Sequence, residues 1–218
     1  MGGTAKAWRG MKRLAGADVT GWKAIGLGVF TLLLCAATPG ARAAEHSELF
    51  EMFEAVCLRH VGDAAGARAQ AAKLGFAPLP SLSDDSFQRK SSGGTYLLGF
   101  QGPALMFGSG GPPATHEGCS ITIAGPDAAA PSALRAWLAM APTEETGSLV
   151  SYSFRENNGV RTRLSAAQTR GPTIDLLQGG PVRLVSALQL KVGAETTTIL
   201  SASFFVLKGA AGAPASGP

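Results

Sequence analysis

Apolar residues recur along this chain with two different periods. From Ser47 to Phe76 the steps are three and four residues. Leu49, Phe53, Val56, Cys57 and His60 fall on one helical face, and Phe50 and Met52 widen it. Ser47 stands where an N-cap hydroxyl accepts a first-turn N–H. Glu48 and Glu51 place negative charge near the positive end of the helix dipole. Gly62-Asp63 interrupts the pattern, with Asp63 as a second N-cap. An alanine-rich run from Ala64 to Ala72 then carries strong helix propensity. Gly75 suits a left-handed terminator, and Phe76 follows it to pack back on the last turn. The pattern predicts a helical hairpin, or one kinked helix, ending at Leu74.

Beyond Phe76 the period changes to two. Pro78 to Thr95 is polar and turn-rich and reads as a surface loop with a short helical turn near Asp85–Arg89. Tyr96–Phe100 and Ala104–Phe107 read as two short strands joined at Gln101-Gly102-Pro103, and Gly108–Pro113 as a loop. In Gly118–Ile123, Cys119, Ile121 and Ile123 share one face while Ser120 and Thr122 share the other. Pro131–Met140 reads as a short amphipathic helix burying Leu134, Trp137 and Leu138. Leu149–Phe154 and Val160–Leu164 flank Asn158-Gly159, a strong hairpin signal. Ser165–Leu177 has the look of a broken helix. Val182–Lys191 and Thr196–Leu207 form a last hairpin turning near Val192-Gly193-Ala194-Glu195. The expected fold is α+β: an antiparallel sheet of five to seven strands, with the N-terminal helical hairpin and the short middle helix packed on one face.

The first 43 residues change this picture. Lys6, Arg9, Lys12, Arg13 and Lys23 form a basic region ahead of the apolar run Ala24–Ala37, and Ala41-Arg42-Ala43 matches a small-x-small cleavage site. The expectation is a signal peptide over 1–43, cut after Ala43, with a single α+β domain over 44–208 and a disordered tail over 209–218. Met11 opens a more ordinary signal and is an alternative start. An uncleaved anchor is the rival, although the apolar run is short of the roughly 20 residues that span a bilayer. A lipoprotein fits less well, since Leu34 precedes Cys35 where a small residue is required.

Charge follows from that division. Residues 1–43 carry six of the 19 Lys and Arg and one of the 15 Asp and Glu, which leaves 13 basic and 14 acidic residues. The pI of 9.2 therefore belongs to the leader. No basic surface suited to nucleic acid is implied, and no stable membrane anchor is expected after cleavage. Cys57 and Cys119 remain as an even pair in an oxidising compartment, which reads as one disulfide.

The candidate chemistry is sparse. Cys57-x-x-His60 with His116-x-x-Cys119 supplies two thiols and two imidazoles, the donor set of a tetrahedral zinc site, and stands as the alternative to the disulfide. A small hydrolase using His60 and His116 is a further alternative. A serine triad finds only His46, His60 and His116 as bases, and Gly108-Ser109-Gly110 is only a fragment of a nucleophile elbow. Neither a Walker loop nor a G-x-G-x-x-G after a strand occurs. Asp84-Asp85 and Glu144-Glu145 read as solvated surface charge. Arg155, Arg161 and Arg163 flank one hairpin and offer either a small anion-binding patch or a polar strand face. Trp137 and Phe107 read as core. No catalytic residue and no cofactor is expected.

The order of features resembles a loose group of small exported proteins from GC-rich Gram-negative bacteria, to which no function is assigned. The resemblance rests on Phe53 and Cys57 in the first helix, on Gly75-Phe76, on the proline-rich loop, and on Gly118-Cys119-Ser120 ahead of the helix with Trp137. It implies a periplasmic or secreted protein and transfers no catalytic role. The expectation is a non-enzymatic binding or envelope-accessory module, with an envelope protein or small ligand as partner.

Overall fold

The computed structural model describes residues 47–106, 113–170 and 173–207. The expected leader over 1–43, His46, Phe107, the Gly108-Ser109-Gly110 fragment and the tail over 209–218 lie outside the described residues.

The architecture is α+β around one nine-stranded antiparallel sheet. The strands are β1 (Ala77–Pro78), β2 (Ser86–Ser91), β3 (Gly94–Met106), β4 (Ala114–Ala124), β5 (Glu144–Glu145), β6 (Leu149–Asn157), β7 (Val160–Arg163), β8 (Val182–Val192) and β9 (Glu195–Leu207). Their order is β1-β2-β3-β4-β9-β8-β6-β5, and β7 also pairs with β6.

Nine strands exceed the expected seven for local reasons. Ser86–Ser91 was expected to be loop and helical turn. It forms β2 because Phe87 reaches the core while its backbone pairs with β3 from Ser86–Gly99 to Ser91–Gly94. Gly102-Pro103 does not separate two strands. Proline has no N–H to donate, and the ladder absorbs it as a bulge between Gln101 and Ala104, so β3 is continuous. β1 and β5 are two-residue edge strands.

The helices are α1 (Glu48–Phe53), α2 (Ala64–Lys73), α3 (Ala129–Leu138), α4 (Ala166–Arg170) and α5 (Thr173–Gln178). Ser47 caps α1 by accepting the Phe50 N–H at 3.0 Å, and its own hydroxyl donates to Asp127 at 2.7 Å. Helix α1 runs into a π-helical segment, Glu54–Leu58, whose wider turn is closed by Arg59 N–H on Glu54 O. That turn buries Val56, Cys57 and Leu58 together, while His60 ends half-exposed rather than on the apolar stripe. Asp63 caps α2 through Gly66 N–H. Helix α3 lies over the sheet through Ala130, Leu134 and Leu138, and Ala139 ends it in the left-handed conformation. Among the described residues no helix is long and apolar enough to cross a membrane.

In an antiparallel ladder directly paired residues point to the same face, and faces alternate along each strand. One face carries Leu98, Ile121, Leu200, Val185 and Tyr152, and these form the main core with α1, the π-helical segment, α2 and α3. A smaller cluster of Ala114, Leu164, Leu177 and Val182 puts α5 on the opposite face, at one end of the sheet.

Candidate functional site

Cys57 and Cys119 are bonded, with Cα atoms 5.5 Å apart. Cys57 is buried, and Cys119 pairs with Phe100 and Ala202 on the helix-covered face. The bond ties the π-helical segment to the centre of the sheet. It also removes both sulfurs as thiolate ligands. The two histidines do not meet. His60 lies beside Gly62 and Cys119 on the helix side and approaches Asp63 at 3.7 Å. His116 pairs with Phe205 on the other face and stacks on its ring, centroids 4.6 Å apart. Burial pulls the His116 pKa down, with Glu117 opposing. The Cys57, His60, His116, Cys119 set therefore does not converge, and among the described residues no group of three or more His, Cys, Asp or Glu is placed to hold a metal. His116 lies inside β4, where it and Cys119 face opposite ways.

The arginines expected at one hairpin hold chain segments in place. Arg161 sits 4.1 Å from the Trp137 ring centroid and donates to Trp137 O. Arg163 donates to the carbonyls of Ala141 and Pro142. Arg155 reaches Leu176 O on the opposite face, while its buried Nε has no partner. Glu156 lies between Arg161 at 3.8 Å and Arg183 at 3.5 Å. One member of each carboxylate pair is engaged as well: Asp85 by Arg68 and Glu145 by Arg135, both at 2.5 Å. Tyr96 sits against Glu48, and burial followed by that carboxylate raises its pKa.

Between α3 and the β5–β6 turn lies an open groove of about 500 Å³, lined by Pro131, Arg135, Glu145, Leu149, Ala187 and Gln189. Glu145 first, and then the Tyr152 hydroxyl, raise the Arg135 pKa. The fully buried Tyr152 hydroxyl stands close enough to feel that cation but makes no hydrogen bond of proper geometry.

The most extensive feature is the sheet face away from α1–α3. Register aligns its side chains in rows across β3, β4, β9, β8 and β6. One row reads Leu97, Thr122, Ile199, Leu188, Leu149. The next reads Gly99, Ser120, Ser201, Ser186, Ser151. A third reads Gln101, Gly118, Ser203, Leu184, Ser153. Beyond the first row stand Ala124, Thr197 and Leu190. None of these side chains is charged. Leu97 and Leu190 are 36% and 45% exposed, two of the four exposed large apolar residues among those described. The Ser186 and Ser201 hydroxyls bond each other at 2.8 Å. Sequence reading saw the alternation of Ser120 and Thr122 but not the rows, because a row joins five strands distant in sequence and only register reveals it.

Comparisons with protein-family models, with curated proteins and with solved structures find no match for this chain.

Proposed function

We propose that the chain is an exported, non-enzymatic binding module of the bacterial envelope. In this reading α1, the π-helical segment and α2 act as a helical hairpin that stiffens the sheet through Cys57–Cys119, and the sheet face that the described helices α1–α3 leave open does the binding. The observation that carries the reading is that face: four adjacent rows of uncharged side chains on rigid, mutually paired strands. Uncharged exposed apolar area of this kind marks interaction surfaces. Export is supported by the leader-like sequence over 1–43 and by the disulfide, which persists in oxidising compartments.

The test is a turnover screen of the oxidised protein, purified from the periplasm, against ester, peptide, phosphoester and glycoside substrates. The expected result is no rate above the buffer blank. Turnover abolished by His60→Ala or His116→Ala would overturn the proposal.

A further inference from the structure

Resting on the binding-module reading, we propose that the occupant of the uncovered sheet face is a second copy of the same chain, packed face to face about a two-fold axis. Three observations lead there.

The first is relief. The row Leu97, Thr122, Ile199, Leu188, Leu149 is a ridge, and the adjacent row Gly99, Ser120, Ser201, Ser186, Ser151 is a trough of glycine and serine. A two-fold axis lying parallel to the rows, midway between ridge and trough, lays each ridge in the other copy's trough. Strand by strand, Leu97 then faces Gly99, Ile199 faces Ser201 and Leu188 faces Ser186. The same operation sets Leu190 against Leu184 and Ala124 against Gly118. An isologous contact needs this self-complementarity. The rotation keeps the strands of the two sheets nearly aligned, one of the two ways in which sheets stack.

The second is charge. Two copies of a charged patch repel across a two-fold axis, whereas these rows carry no charge to repel or desolvate. The central hydroxyls of Ser186 and Ser201 bond each other at 2.8 Å, so one of their two O–H donors is already engaged before the face is covered.

The third is area. Four strands about 4.8 Å apart and four rows about 6.8 Å apart cover roughly 19 by 27 Å, or about 520 Å² per copy. The pair covers about 1,000 Å², the size that a specific interface must reach. Among the described residues helix α5 packs at the far end, on Ala114, Val182 and Leu207, and Ser151 and Ser153 at the β6 end are buried, so the open part of the face lies on β3, β4, β9 and β8.

The experiment is sedimentation equilibrium of the oxidised full chain as the periplasm delivers it. Three variants accompany the wild type: Ser201→Glu in the trough, Leu97→Arg on the ridge, and Ala69→Glu on the exposed side of α2 as control. Far-UV circular dichroism verifies the fold of each. The wild type and Ala69→Glu should sediment at twice the chain mass, and at least one folded face variant at the single-chain mass. A monomeric wild type overturns the proposal and leaves the face to another segment of this chain or to a different partner. A dimer that both folded face variants preserve also overturns it. Neither result bears on the turnover screen, which judges the binding-module reading separately.

Discussion

Replacing Cys57 and Cys119 together by alanine removes the cross-link while keeping both Cβ atoms in place. The bridge closes a loop between residues 62 apart in sequence. In the chain-entropy model a loop of that length restricts the unfolded chain by about 4 kcal/mol at 25 °C. The roughly 150 described residues, at about 2.1 cal/mol/K each, give an unfolding entropy near 0.32 kcal/mol/K, so the loss corresponds to a Tm lower by about 12 °C. Cys57 is buried, so the loss of its sulfur adds a cavity cost of the same sign. The mechanism acts on the unfolded state, which fixes the assay. Urea titration of the oxidised wild type and the double variant should show the midpoint falling and the m-value rising, since an unlinked chain exposes more surface when it unfolds. A loss under about 1 kcal/mol with an unchanged m-value would refute the reasoning and show that the bridge does not restrain the unfolded chain as the model requires.

Further outcomes follow from particular side chains. Asp127 accepts the Ala129 and Ala130 N–H groups at the start of α3 and the Ser47 hydroxyl at the start of α1. Asp127→Ala should therefore cost about 1–3 kcal/mol in urea unfolding, more than an ordinary single cap. Leu134 is fully buried beneath α3, and Leu134→Ala should cost about 2–5 kcal/mol in the same assay. His116 has a lowered pKa in the folded chain, so the unfolded chain, titrating near 6.5, takes up a proton first as the pH falls. The stability His116 contributes is complete above that value and is lost as the pH drops through it towards the folded-state pKa. Urea midpoints of the wild type should accordingly decline below a pH of about 6.5, and His116→Gln should flatten that slope.

The parts of the fold written in local chemistry were legible. Ser47 and Asp63 cap where their hydroxyl and carboxylate predicted, Gly75 terminates α2 at φ 81°, and Asn158-Gly159 turns the β6–β7 hairpin with both residues at positive φ. Cys119 faces the helix-covered side as its alternation required. What sequence reading missed depends on partners remote along the chain. β2 carries one apolar residue in six and becomes a strand only because β3 offers it a ladder. The π-helical turn at Glu54–Leu58 adds a residue to one turn and so rotates His60 off the stripe that contains Cys57. The ridge and trough on the open face were invisible for the same reason: serines scattered from 120 to 201 become one row only after five strands are in register.

The proposed export and disulfide are tested most directly by one native mass spectrum of the full-length chain, expressed in a Gram-negative host and purified without reductant. They predict a chain beginning at Ala44, two hydrogens lighter than the reduced form, with no metal attached. A chain carrying bound zinc and two free thiols, or one that retains residues 1–43, would contradict them.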